Sequence, residues 1–398
     1  MRIGILTYHQ SVNNGAVMQA YSLSRRLKEL FPSCEVEIVD YRMKKVQERY
    51  SYTLRSYVGP ILSARFFRRC LFLLRHPLFL YRYQRRTAVF GECLCKLPLS
   101  PVCILADTPD EVYAYINERY DVLVVGSDAI WNYLSRGYGN AYLPSRSVIS
   151  TKMSYAASCY GMDFLSRPEN EREGIGAALD EFTFIGVRDD ATEDFVRWSG
   201  CSVNATHTCD PTVFLDVNDL PIDEEKLRKK LKKRGFDFSR PTIGMMGTIH
   251  MLKMIRRMYG NKYQIVALYE YTKGADVNLY DLEPYEWAYV FRYFQVTFTT
   301  YFHGTLLSLR NGIPVICVSL DTDFSKAHVP KTLDLLARLG FADWYFHTDY
   351  KTQNIDLMKR KTDELLSGDY SEQIISAMGR EAESFNGFYD ALKKQIET

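Results

Sequence analysis

A histidine and a glycine, His303 and Gly304, stand in the stretch TFTTYFHGTLLSLRNGIPVICVSL (297–320), after an apolar, hydroxyl-rich run and before an amphipathic segment. The pattern reads as a strand, a tight turn and the first turn of a helix, the place where open parallel sheets put their chemistry. An imidazole titrates near pH ~6.5, so His303 is able to give or take a proton around neutrality. Gly304 permits close backbone approach, and a helix N-terminus beside it favours a phosphate or carboxylate. A histidine that only caps the turn fits the same letters. Arg188 ends the apolar run in IGVRDD; a guanidinium there grips a carboxylate or phosphate with a two-pronged fork, or else forms a salt bridge with Asp189 or Asp190.

Two more groups of polar residues follow strand-like runs. In HQSVNNGA, Asn13, Asn14 and Gly15 precede a helix and offer amide and backbone donors to an anion or to sugar hydroxyls; a plain turn with an N-cap is the alternative. In GSDAIWN, Ser127 and Asp128 end a strand and Trp131 follows. A carboxylate there orients or deprotonates a hydroxyl and an indole stacks on a sugar face, while helix capping explains Ser127 or Asp128 equally well. Glu283, before Pro284, is a further cleft carboxylate or a helix start.

The elements that position these groups alternate. RIGILTY, CEVEIVDY, YDVLVVGSD, KMSYAAS and FTFIGVRDD are short apolar runs separated by helical periodicity, and TIGMMGT, QIVALYE, FQVTFTTYFHG and IPVICVS repeat the scheme. Strands alternating with helices imply parallel sheets. At 398 residues the chain is too long for one core. The expected organisation is an N-terminal α/β domain over 1–216, a polar linker over 217–240, a C-terminal α/β domain over 241–352, and helices over 353–398 packing back on the first domain.

Net charge is +2, but its distribution is uneven. From Arg42 to Arg86 there are twelve Lys or Arg against one acid, Glu48, interleaved with Phe, Leu and Tyr. The segment 42–90 is expected to be a basic, aromatic helical insertion. Residues 42–86 have the composition of a surface that lies on an anionic membrane, or of a hairpin packed on its own domain. No uncharged run reaches the roughly 20 residues of a membrane span, and no recognition motif suggests nucleic acid. MRIGILTYHQ reads as a strand and not as a secretion signal, so a cytoplasmic protein is expected, either free or at the inner face of the membrane. Nine cysteines without a zinc-site spacing point to reduced thiols and no metal.

The order of GILTYHQSVNNGAVMQAYSL, YDVLVVGSDAIWN, KMSYAAS, GVRDDAT, DPTVFL and TTYFHGTLLSLRNGIPVICV resembles the polysaccharide pyruvyl transferase family. The resemblance implies two Rossmann-like parallel-sheet domains similar to a B-type glycosyltransferase (GT-B-like), with a cleft between them. It implies transfer of pyruvate from phosphoenolpyruvate, used as a donor substrate with no cofactor, onto a sugar as a cyclic ketal. With the basic segment, it suggests a lipid-linked glycan acceptor. It also implies a lysine that pairs with the histidine, with Lys326 favoured over nearby Lys331. Many relatives carry an arginine two residues before the histidine; here that position is Tyr301, and Arg310 is a candidate replacement. A nucleotide-sugar glycosyltransferase on the same architecture is the competing expectation.

Overall fold

The computed structural model describes residues 1–44, 57, 64–135, 137–319 and 329–397. Two six-stranded parallel sheets organise it. The first runs β2-β1-β5-β6-β7-β8, from β1 (Arg2–Leu6), β2 (Glu35–Ile38), β5 (Val122–Val125), β6 (Thr151–Ala157), β7 (Phe182–Val187) and β8 (Ala205–His207). A separate two-stranded pair, β3 (Tyr41–Arg42) and β4 (Ile104–Leu105), flanks it. The second sheet runs β11-β10-β9-β12-β13-β14, from β9 (Thr242–Met246), β10 (Gln264–Ala267), β11 (Val277–Asn278), β12 (Val296–Thr299), β13 (Val315–Ser319) and β14 (Tyr345–His347). Continuous apolar runs such as Val122–Val125 are buried along their whole length, as expected of parallel strands covered by helices on both faces.

Helices in the first half are α1 (Asn14–Leu30), α2 (Ala64–Arg75), α3 (Phe79–Leu94), α4 (Asp110–Arg119), α5 (Glu169–Leu179) and α6 (Asp190–Ser199). Then come α7 (Glu224–Lys233), α8 (Ile249–Tyr259), α9 (Pro284–Val290), α10 (Phe302–Arg310), α11 (Lys331–Leu339), α12 (Ile355–Ser367), α13 (Ser371–Ala382) and α14 (Asn386–Glu397). Their ends follow capping chemistry: Asp189 accepts from Thr192 N at 3.0 Å to start α6, and Gly200 ends it at φ 77°.

Strand order reverses between β1 and β5 in the first sheet and between β9 and β12 in the second. Crevices at the carboxyl ends of parallel strands open at such reversals. The loop after β1 leads to Asn13–Gly15, the loop after β5 holds Ser127 and Asp128, and the loop after β12 holds Tyr301 and His303. The candidate residues therefore gather where topology leaves room.

The linker and the C-terminal helices pack against both sheets. The linker 217–240 contains α7, which packs on the second half: Arg228 lies 5.7 Å from the Tyr293 ring centre and Lys230 pairs with Glu286 at 2.5 Å. Of the C-terminal helices, α12 stays with the second sheet, its Asp363 accepting from the Tyr259 hydroxyl at 3.0 Å. The return to the first sheet is made by α13 and α14: Phe388 meets Tyr155 at 4.8 Å and Phe184 at 5.8 Å, and Ser384 accepts from Cys209 N at 2.8 Å.

The basic segment, within the residues described, is the helical pair α2 and α3. Several arginines assigned to a membrane surface are spent on the second half instead. Arg85 pairs with Asp281, Arg82 lies 3.3 Å from the Tyr271 ring centre, and Arg86 donates to the carbonyls of Val12 and Tyr269. Guanidinium groups seat on aromatic faces and carbonyls more readily than their charge count alone suggests. Phe67, Leu71, Leu74, Leu78 and Tyr81 remain exposed. Among the described residues no helix is long and apolar enough to cross a membrane.

Candidate active site

Asp128 follows β5 in a left-handed conformation, φ 78°, which costs a side-chain-bearing residue on the order of 1–3 kcal/mol. The glycine before it, Gly126, is required: a Cβ there would lie 2.0 Å from the Tyr155 carbonyl oxygen. The turn aims the Asp128 carboxylate at Arg188, whose Nη2 stands 3.3 Å from Oδ1. Arg188 ends β7 at 1% exposure and donates from Nη1 to Asp210 Oδ2 at 2.9 Å. Both prongs of its fork thus meet Asp128 and Asp210, not Asp189 or Asp190. The Nε is buried without a partner, and the guanidinium lies 4.6 Å from the Phe302 ring centre.

Asp210 begins the short 3-10 turn Pro211–Phe214, with Oδ1 accepting from Thr212 N at 2.9 Å. Its other oxygen faces the second half, where His303 Nε2 stands 3.5 Å away. The distance suits an ion pair when the imidazole carries a proton, and Nε2 makes no hydrogen bond among the described residues. His303 is the second residue of α10, which no side chain caps. Across the cleft the imidazole lies against Gly15: a Cβ built there would fall 2.1 Å from Nδ1. Gly304 admits Thr299 and Met246, whose Oγ1 and Sδ would be 2.6 and 2.8 Å from an added Cβ.

Lys331 opens α11 and brings a second fixed cation, its ammonium 5.3 Å from the Tyr160 ring centre and 5.6 Å from that of Phe302. Lys326 lies outside the described residues. Burial would raise the Asp210 carboxyl, but His303 and Arg188 hold it well below the usual carboxylate range. Asp128 is likewise lowered against its burial by Arg188, His303 and Lys331. For Lys331, burial and the Arg188 charge lower the ammonium while Asp128, Asp189 and Asp210 oppose them. Arg338 backs the cluster from the second half, donating to the Arg188 carbonyl at 3.4 Å.

The remaining candidates divide. Asn13 accepts from Gly15 N at 3.0 Å to cap α1, and Asn14 is buried beside it with Oδ1 unpartnered. Ser127 is buried and bonded to Gln19, which serves the loop and not a ligand. Trp131 is a correction: its indole is fully buried, donates to the Tyr142 carbonyl at 3.1 Å and packs on Phe182 and Phe195, so it offers no face to a sugar. Glu283 starts α9 and pairs with Lys96. Tyr301 is partly exposed, its ring 4.7 Å from that of Tyr269, over which Arg86 also lies at 4.2 Å. Arg310 donates through Nε and Nη2 to the Leu215 carbonyl at 2.8 and 2.5 Å. Two residues escaped the sequence reading. Asp210 sat in the DPTVFL motif just ahead of the polar segment, where an aspartate before proline announces a capped turn, and Arg86 was absorbed into the charge of the insertion.

A pair of Rossmann-like domains with an ion cluster between them defines a GT-B-type architecture, and solved structures share it. A Neisseria meningitidis UDP-GlcNAc 2-epimerase bound to UDP-GlcNAc is similar at TM-score 0.53 and 9% identity, covering 99% of this chain and 100% of its own. The Staphylococcus aureus protein MnaA with UDP is similar at TM-score 0.52 and 9% identity, over 100% and 97%. No curated protein matches the chain in sequence. Residues 13–322 match the family described as polysaccharide pyruvyl transferase, and the chain belongs to that family of transferase enzymes.

Two outcomes follow from this geometry. Gly15→Ala puts a methyl group where the imidazole stands, so turnover should fall about 100-fold with the melting temperature nearly kept; steady-state kinetics retaining full kcat would show that His303 does not need this seat. Asp210→Asn leaves Arg188 facing one carboxylate and should cost about 3–5 kcal/mol at pH 7 in urea unfolding. Because the folded carboxyl is depressed, its contribution is present above the unfolded value of about 4 and is lost as pH falls below it. The variant should therefore lose less stability than wild type between pH 5 and pH 3, and equal losses would deny the coupling.

Proposed function

We propose that this transferase moves the pyruvyl group of phosphoenolpyruvate onto a glycan as a cyclic ketal and releases phosphate. The observation that carries the proposal is His303 Nε2, buried at the domain boundary with no hydrogen bond among the described residues, 3.5 Å from a carboxylate that also holds Arg188. In the first step a proton goes to the methylene carbon of the enol phosphate, and a sugar hydroxyl adds to the cationic carbon as it loses its own proton. In the second, the phosphate leaves with its bonding electrons and takes up a proton, while a second hydroxyl closes the ring and gives one up. His303 carries the protons, and Asp210 stabilises its charged form. Lys331, with α10's N-terminus, supplies positive potential for the donor's carboxylate and phosphate; we assign it the role that family resemblance suggested for Lys326. Arg188 acts in this reading by holding Asp128 and Asp210 in place, and Asp128 orients an acceptor hydroxyl. Tyr301 and the buried Asn14 side chain are further candidates for acceptor contacts in this reading.

The acceptor we favour is a lipid-linked glycan, met at the inner face of the membrane. What supports this is the exposed stripe Phe67, Leu71, Leu74 and Leu78 on α2 and the turn after it, with exposed Arg68 and Arg75 alongside. Apolar residues edged by arginine suit an anionic bilayer.

Incubation with phosphoenolpyruvate and a panel of glycans, read by mass spectrometry, should yield a ketal-linked pyruvate on at least one, and His303→Gln should lower the rate about 10²–10⁴-fold while the fold persists. Full activity in that variant would remove the proton carrier from the mechanism, and a product formed from a nucleotide sugar instead would favour the glycosyltransferase. For the membrane, the protein should sediment with vesicles containing phosphatidylglycerol and not with neutral ones, and a Leu71→Ser, Leu74→Ser double variant should stay in solution. Equal sedimentation of that variant would mean that the stripe is not the anchor.

A further inference from the structure

A cavity of about 540 Å³ separates the helical insertion from the second domain. Its floor is the carboxyl edge of the second sheet: Gly247 and Thr248 follow β9, and Glu270 to Lys273 follow β10. The strand β9 neighbours β12, after which His303 stands, and Met246, the last residue of β9, presses on Gly304. Cavity and histidine therefore lie along one sheet edge, on either side of the point where strand order reverses. Its other wall comes from the insertion, through Arg75, His76, Leu78 and Arg82.

The charge of this space is one-sided. Arg75, Arg82 and Lys273 face a single carboxylate, Glu270. Neither Arg75 nor Lys273 has an ion-pair partner among the described residues, and both are exposed. Arg82 is held by the Tyr271 ring, 3.3 Å from its centre, and has no ion-pair partner among the described residues. Into the same space opens α8, eleven residues long, with Thr248 as its cap and no acid in its first turn, and a helix start of this kind carries partial positive charge. Leu78 and Ile249 add apolar wall. Three cations, a helix dipole and an apolar side, in a volume typical of small-ligand sites, suit a phosphate or diphosphate ester.

We propose that this cavity binds the phosphate or diphosphate through which the glycan acceptor is attached to its carrier. Naming the ligand as the acceptor rests on the pyruvyl-transfer reading; the anion site itself does not. The donor is consumed at His303, so a second anion site further along the edge fits the molecule whose sugar must reach His303 while its carrier stays behind. The insertion then has a task beyond packing: it closes over the phosphate end of the acceptor.

The test uses the full chain and thermal unfolding with inorganic pyrophosphate, a short prenyl diphosphate and uridine diphosphate. Pyrophosphate should raise the melting temperature of wild type and of His303→Gln alike. An Arg75→Gln, Lys273→Gln double variant, altered only at exposed positions, should bind it about tenfold more weakly. Tighter binding of the prenyl diphosphate identifies a lipid carrier, and tighter binding of uridine diphosphate a nucleotide one; both keep the site. No shift in wild type, or an equal shift in the double variant, overturns it. Phosphoenolpyruvate in a parallel series reports on the donor reading separately, because its stabilisation should persist in the double variant.

Discussion

One carboxylate joins the two halves of this enzyme at its centre. Asp210 holds Arg188 of its own domain at 2.9 Å and faces His303 of the other at 3.5 Å. A guanidinium at 1% exposure is sustained only by paired charge, since an isolated ion in such a place would lose several kcal/mol of hydration. Asp128 and Asp210 provide that pairing, and Asp128 does so from a strained turn. Remove the pair and the strain at Asp128 has no purpose, the end of β7 loses its anchor, and the imidazole loses its neighbouring charge. The seat on Gly15 then fixes the imidazole from the opposite side, so position and electrostatics come from separate parts of the chain.

Much of this was visible in the letters because parallel sheets leave a strong trace. Continuous apolar runs ending in small or polar residues located β1, β5, β7, β9 and β12, and the residues just past them, Asp128, Arg188 and His303, do meet. What stayed hidden was partnership. A sequence shows that Arg188 is followed by two aspartates, but the strand end turns those away: Asp189 caps α6 while Asp128 and Asp210, distant in the chain, take the guanidinium. Trp131 looked like a sugar platform because it follows a polar turn, yet nothing in its neighbours reveals that Phe182 and Phe195 enclose it. The insertion hid its contacts for the same reason: composition counts charges without saying what they rest on, and Arg82, Arg85 and Arg86 reach the second domain.

That bridging changes how the two domains relate. Arg86 spans from the insertion to the loop before α1 and to Tyr269, and Arg310 grips the Leu215 carbonyl where the chain leaves the first domain. Contacts of both kinds end on backbone oxygens, which are fixed by the fold and do not depend on a rotamer. The cleft is therefore held at two sides, with His303 and Asp210 between them.

The return of α13 and α14 to the first sheet also bears on the birth of the molecule. Synthesis runs from the N-terminus, and domains of most proteins fold as they emerge. Here the rings of Tyr155 and Phe184 are covered by Phe388 of α14, a helix that follows the second domain in the chain. The first domain cannot complete its core on the ribosome before the second has been made. Its apolar face stays open through that interval, until the helices that follow the second domain emerge to close it.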